Sequence, residues 1–271
     1  MISVSIIVVK EDFGVKVNFA KCTFSQLEEL TNEYLSSLVS PMDSFLEDHI
    51  IESEHFLIAI DDNKAGYFSI HNQELLTQFY INKDYRHLGQ EIFFKVKKMQ
   101  NIYYAFVSTS DEFFLSHALD EYKSMEKQAY FFKDLKVLSQ KEKIDNSLSI
   151  KAAESSDIDD ILKGSGDFFD NVNESILNEE IYIIRKEDSI AGFGIIEKGT
   201  LMKGYASIGM YTIEGFRRMG IGRNILLMLK EIVYKNHMKP IAGCWYYNHN
   251  SKKTLESAGM YSDTRLLKIH Y

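Results

Sequence analysis

Apolar positions along this chain alternate between strand-like and helix-like spacing, and the same order runs twice. Met1 to Lys10 is apolar and β-branched and reads as a strand, and Asp12 to Phe19 reads as a turn with a second strand. Thr23-Phe24-Ser25-Gln26 has capping-box spacing. Leu27, Leu30, Tyr34, Leu35 and Leu38 then mark one helical face, which Pro41 limits. A less regular segment follows, with Phe45 and Ile50 as anchors. Phe56–Ile60 and Gly66–Ile70 flank Asp61-Asp62-Asn63-Lys64, a hairpin signal, and Leu75–Ile81 is another strand. After Arg86-His87-Leu88-Gly89 comes a helix with Ile92, Phe93, Val96 and Met99 at helical spacing. Strand Ile102–Val107, helix Asp111–Tyr122 and strand Gln128–Phe132 complete the first pass.

Lys133 to Asn146 is more polar and reads as a linker, after which the pattern restarts. Leu148–Ala152 is a strand, Ser156–Lys163 a helix ended by Gly164-Ser165-Gly166, and Phe168–Leu177 a second helix. Ile181–Ile184 and Gly192–Ile196 form a hairpin around Lys186-Glu187-Asp188-Ser189. Strand Ala206–Ile213 enters a glycine turn, and Ile221, Ile225, Met228, Leu229 and Ile232 give the following helix its buried face. Strand Pro240–Tyr247, helix Ser251–Ala258 and strand Asp263–His270 close the chain. Ala65-Gly66-Tyr67 corresponds to Ala191-Gly192-Phe193, and Arg86-x-x-Gly89-x-Glu91 to Arg217-x-x-Gly220-x-Gly222. These landmarks keep nearly the same separation, so the chain reads as a domain-scale duplication with domains over 1–140 and 147–271.

The second glycine turn carries the candidate chemistry. A helix that starts there presents backbone N–H groups with no internal partner. Two glycines let a bulky anion come close, and helix polarity with flanking arginines favours negative charge. The turn lacks the Gly-Lys-Ser/Thr end of a Walker loop and the third glycine of a dinucleotide fingerprint. What it offers is Arg-x-x-Gly-x-Gly, a cradle for phosphate or pyrophosphate.

Composition narrows the setting. The chain has 271 residues, 45% of them hydrophobic, enough for two cores. A formal charge of −8 argues against a general nucleic-acid surface. Cys22 and Cys244 are the only cysteines, so neither a disulfide framework nor a cysteine metal site is expected, and a cytoplasmic setting is. No apolar run is long enough to cross a bilayer.

The Arg217–Gly222 turn resembles the acetyl-CoA-binding loop of the GCN5-related N-acetyltransferases (GNAT), and residues 148–271 resemble that fold along nearly their whole length. The resemblance implies an α/β (α+β) protein of two tandem acyltransferase-like domains, each a mixed, mostly antiparallel sheet flanked by helices. It implies that the backbones of Met210 and Thr212 bond the pantetheine arm of acetyl-CoA, and that Arg217, Arg218, Met219, Gly220, Ile221, Gly222 and Arg223 form the pyrophosphate loop. Thr212 stands where the family usually has an apolar residue, and Glu214 where it usually has proline. Asn248-x-x-Ser251, followed by a helix and Gly259-Met260, resembles a second family signature, with Asn248 and Ser251 near the coenzyme; read as residues alone they are good helix-capping types.

The implied reaction is direct transfer of acetyl to an amine of a small molecule or peptide. Many relatives use a tyrosine acid at the position that is Leu255 here; Tyr211, Tyr247 and His249 are the substitutes, and Glu197 and Glu214 the candidate bases. Cys244 reads as core rather than nucleophile. In the first half Glu91 replaces the second loop glycine, and a carboxylate there would repel pyrophosphate. One working coenzyme site, in the second half, is therefore expected, with no metal, no membrane or nucleic-acid partner, and an oligomer left open. A different acyl-CoA donor and a noncatalytic CoA-binding module are the alternative readings.

Overall fold

The computed structural model describes residues 6–12, 15–99, 101–135 and 144–271. The chain divides into two compact units, Met1–Ala129 with Thr264–Tyr271, and Tyr130–Asp263. In the first unit β1 (Ile6–Asp12), β2 (Val15–Cys22), β3 (Glu54–Ile60), β4 (Asn63–His71), β5 (Leu75–Ile81) and β6 (Tyr104–Ser108) lie side by side in chain order. Their pairings are antiparallel except β5–β6. Helices α1 (Glu28–Ser37) and α2 (Ser44–Ile51) join β2 to β3, α3 (Gly89–Met99) joins β5 to β6, and α4 (Glu112–Ala118) follows β6. β7 (Ser124–Asp134) then passes from the first unit into the second.

The second unit repeats this scheme. Its strands are β8 (Leu148–Ala152), β9 (Ile181–Lys186), β10 (Ser189–Lys198), β11 (Tyr205–Thr212), β12 (Lys239–Trp245) and the last five residues of β7, in the order β7-β12-β11-β10-β9-β8. Helices α5 (Ile158–Ser165) and α6 (Val172–Leu177) precede β9, α7 (Ile221–Lys235) joins β11 to β12, and α8 (His249–Ser257) follows β12. Here β11–β12 is the parallel pair, while β8–β9, β9–β10 and β10–β11 are antiparallel. β13 (Met260–His270) closes the chain, and from Leu266 it pairs antiparallel with β6.

The duplication extends to single contacts. Tyr67 stands opposite Tyr80 and Phe193 opposite Tyr211 at the same point of the two sheets. A Cβ on Gly66 would lie 2.1 Å from Tyr80 O, and one on Gly192 2.4 Å from Tyr211 O, so neither position admits a side chain. Arg86 Nε donates to Ile81 O at 3.4 Å, and Arg217 Nε to Thr212 O at 3.2 Å. Each arginine thereby hooks its turn back onto the end of the strand that enters it.

Three expectations need correction. The segment before β3 is a helix: Asp43 caps it, its Oδ1 accepting from Leu46 N–H at 3.1 Å, and Leu46 and Ile50 are buried. The helix expected over Phe168–Leu177 starts only at Val172: residues 168–171 are not helical, and Asn171, at φ −139°, is the N-cap. The units also divide elsewhere than the polar stretch suggested. β7 continues through Lys133 and Asp134, whose charges are met by Asp263 at 3.0 Å and Lys230 at 2.6 Å. Thr264–Tyr271 belongs to the first unit rather than the second, since it supplies the strand beside β6. Residues 136–143 of the expected linker, and the first five of the expected opening strand, lie outside the described residues.

Candidate functional site

The parallel pairing of β11 with β12 covers only Tyr205↔Lys239, Ala206↔Pro240 and Ser207↔Ile241. Beyond it the register ends, while β11 stays paired with β10 as far as Thr212. Ile213 N–H donates to Ala191 O, so odd-numbered residues of β11 direct their backbone groups to β10. By alternation Met210 and Thr212 direct theirs to the other edge, where the β12 register has ended. The Thr212 carbonyl is taken by Arg217, which leaves the Met210 N–H and C=O and the Thr212 N–H as the strand groups facing the gap.

α7 begins beside this edge. A short 3-10 turn, Glu214–Phe216, leads into Arg217, Arg218 at φ 64° and Gly220 at φ 77°. Gly220 is the N-cap and supplies no side chain to the first turn, so the N–H groups of Ile221 and Gly222 receive no side-chain cap from it. A left-handed φ at this position favours glycine strongly. Gly222 faces the strand: a Cβ there would lie 3.2 Å from Met210 Sδ, Thr212 Oγ1 and Thr254 Cγ2. Gly192 and Gly194 let α7 sit close to β10, since Cβ atoms there would lie 2.8 Å from Ile225 Cδ1 and 2.9 Å from Leu229 Cδ2.

The expected loop residues have distinct surroundings. Arg218 and Met219 are exposed, whereas Arg223 Nε donates to Ser257 O at 2.8 Å and ties α7 to the end of α8. Arg217 is held against Thr212 O, with its guanidinium 5.8 Å from the Tyr211 ring centre. Asn248 caps α8, its Oδ1 accepting from Ser251 N–H at 3.0 Å. Leu255 is buried in the core beneath α7.

The candidate proton carriers are scattered. Tyr211 packs against Phe168 at 5.3 Å on the face opposite α7. His249 is the exposed first residue of α8. Glu214 is exposed at the loop, and Glu197 is half-buried opposite Ser207, toward the other end of β11. Five residues separate Glu197 from Gly192, the partner of Thr212, a run of about 17 Å. The two carboxylates are therefore not brought together. Trp245 and Tyr247, which are 58% and 52% exposed, sit with ring centres 5.2 Å apart at the end of β12. Cys244 is half-buried and packs against the core of the second unit. Among the described residues no group of three or more His, Cys, Asp or Glu side chains could hold a metal.

The matching place in the first unit is filled. β5 and β6 pair in parallel only at Leu75↔Tyr104 and Leu76↔Ala105. α4 brings Phe113 onto Phe79, stacked at 5.7 Å, and His117 to 6.1 Å from Phe93. A Cβ on Gly89 would lie 2.6 Å from His117 Nε2. Gly89 is helical, at φ −56°, so it is there for space and not for the left-handed turn seen at Gly220. Glu91 pairs with Lys95 one turn along α3.

Two α/β units, each with one splayed parallel pair beside a helix start, already resemble a known architecture. Residues 23–135 match the family described as acetyltransferase (GNAT) domain. The chain as a whole has the fold of tandem GNAT proteins. A solved GNAT-family acetyltransferase from Colwellia psychrerythraea is 17% identical over 98% of this chain and 99% of its own, with a TM-score of 0.83. A tandem GNAT protein from the clavulanic acid biosynthesis pathway covers 94% and 98% at 10% identity and a TM-score of 0.63. A GCN5-related N-acetyltransferase from Sphaerobacter thermophilus is 11% identical over 80% of each chain, with a TM-score of 0.59. At these identities the likeness establishes the fold. No curated protein matches the chain by sequence. The family match falls on the first unit, whose loop is degenerate and whose gap is filled, while the GNAT loop pattern Arg-x-x-Gly-x-Gly stands in the second.

Proposed function

We propose that the second unit binds acetyl-CoA and transfers its acetyl group to a primary amine of a small molecule or peptide. The observation that carries this reading is the open edge of β11, with Met210 facing the gap, beside the uncapped start of α7 at Gly220. The N–H groups of Ile221 and Gly222 suit a pyrophosphate, and Gly222 keeps their approach clear. Met210 suits the pantetheine arm or the thioester carbonyl. In the transfer, the amine nitrogen bonds to the thioester carbon and loses a proton. The carbonyl oxygen carries the developing charge, for which a fixed backbone N–H is a suitable donor. The C–S bond then breaks, and the CoA sulfur takes a proton.

Glu214 and Glu197 are the candidate acceptors of the amine proton, directly or through water. Tyr211, Tyr247 and His249 are the candidate donors to sulfur, since Leu255 cannot donate. Tyr247 and His249 stand at the β12–α8 junction, beside Asn248, and are exposed; Tyr211 is on the opposite face of the sheet from α7. That placement favours the first two. Exposed Trp245 and Met219 add apolar surface near the same end of the unit, suited to an acceptor with an apolar body.

The test is calorimetric titration of the full chain with CoA, followed by thiol release from acetyl-CoA over an amine panel. Micromolar binding with amine-dependent thiol release is the expected result. No binding of CoA would overturn the reading. Binding without turnover for any acyl donor would favour a CoA-binding module, the second reading that buried Leu255 supports.

A further inference from the structure

Asn224 is a buried polar side chain in the first turn of α7, 8% exposed, and no part of the loop pattern requires it. Its Nδ2 donates to the Gly220 carbonyl at 3.0 Å, and its own backbone N–H donates to the same oxygen at 3.1 Å. Its Oδ1 accepts from Asp145 N–H at 2.8 Å. Asp145 in turn heads a tight turn, its Oδ1 accepting from Ser147 N–H at 2.9 Å and from Ser147 Oγ at 2.8 Å. Both ends of the Asn224 amide are therefore fixed, and its orientation is set by two different partners.

The Gly220 carbonyl and the Ile221 N–H belong to one planar peptide and point in opposite directions. Holding the carbonyl into the helix thus aims the Ile221 N–H outward, at the place of the anion. The segment needs such a hold. Arg218 and Gly220 have positive φ, and Gly215, Gly220 and Gly222 lie within eight residues. Glycine-rich backbone has many alternatives to the binding conformation, and each one populated weakens binding. We propose that Asn224 is a positioning residue that clamps the Gly220–Ile221 peptide and pre-sets the anion-binding amides of the loop. It acts on the loop and touches no ligand itself. The inference rests on the acetyl-CoA reading of the second unit.

The experiment compares the full-length wild type with Asn224→Ala, each titrated with CoA and with pantetheine, which lacks the pyrophosphate. Ser147→Ala, which loosens the Asp145 turn and leaves Asn224 in place, is the control. Asn224→Ala is expected to weaken CoA binding about tenfold, with pantetheine affinity and the Ser147→Ala titrations within twofold of wild type. A twofold or smaller change for CoA would overturn the clamp. An equal loss for CoA and pantetheine would also overturn it, since that pattern reports general damage to the unit. If wild type binds no CoA at all, the failure lies with the coenzyme reading and not with Asn224.

Discussion

At the residue scale, the two loop glycines have different reasons to be there. Gly220 is set by its left-handed φ, Gly222 by three atoms at 3.2 Å from any Cβ. Gly222→Glu puts a charged side chain against Met210 and Thr254 at the anion's approach. We expect CoA affinity to fall at least a hundredfold while thermal unfolding stays cooperative; an unchanged calorimetric titration would remove the loop from the site. Tyr247→Phe or His249→Ala should lower kcat for acyl transfer about tenfold or more with CoA affinity unmoved, if that side chain protonates sulfur. Asp111 gives a separate prediction. Burial pushes its carboxyl up to about 6, against the pull of Phe114 N–H, Tyr34 and Arg86. A carboxyl raised above its unfolded value of 3.8 favours folding when protonated, so its contribution improves as pH falls through 6 toward 4 and is lost above 6. Asn can keep the N-cap bond without the charge. Asp111→Asn should therefore be more stable than wild type at pH 8, by about 3 kcal/mol or less, and equal to it near pH 4, as read by denaturant unfolding at both pH values. At this scale the sequence showed the loop, because turn, glycines and helix start are local. It could not show Asn224, whose meaning depends on Asp145, 79 positions away.

At the element scale, the same slot after the parallel strand is used in two ways. α4 and α8 both start from a side-chain cap, Asp111 Oδ1 to Phe114 N–H at 2.9 Å and Asn248 Oδ1 to Ser251 N–H at 3.0 Å. α4 carries Phe113 and His117 into the ring cluster with Phe79 and Phe93, whereas α8 presents Thr254 to Gly222. Helical periodicity located both helices but not this difference, since Phe113 and His117 read equally well as ordinary helix residues. β7 shows the opposite problem. Its polar end resembled a linker, yet Asp134 is buried, pairs with Lys230 at 2.6 Å and accepts from the Tyr234 hydroxyl. Lys230 also donates to Ala258 O at 2.8 Å, so one ammonium joins β7, α7 and the end of α8. Asp134→Ala leaves that ammonium buried without its counter-charge, and should destabilise the second unit by about 3–5 kcal/mol in denaturant unfolding. Asp134→Ala with Lys230→Met should recover most of the loss; failure to recover would mean that packing around β7, and not the charge, sets the cost.

At the scale of the whole molecule, the duplicated order of hairpin, strand, turn and helix was readable because period-2 and period-3.6 spacings are local and each pass carries the same landmarks. The division of the chain was not. β13 leaves the second unit after Asp263 and gives Thr264–Tyr271 to the first, a pairing with β6 that no local pattern encodes. Duplication alone would allow two coenzymes per chain, and the family match on residues 23–135 would even favour the first unit. The side chains argue otherwise. In the first unit Phe79 stands at the strand position of Met210, Phe113 stacks on it, and His117 presses against Gly89 where the second unit has an open helix start. Displacing these rings would expose apolar surface worth several kcal/mol, on the order of 1.5–3 kcal/mol for each buried side chain. CoA should therefore saturate at one equivalent per chain, and Gly222→Glu should remove that single binding event and leave no weaker one. A second equivalent in calorimetry, persisting in Gly222→Glu, would show that the aromatic filling opens for the ligand. Phe113→Ala with His117→Ala would then be expected to tighten that second site, and in the absence of such opening to bind no more CoA than wild type.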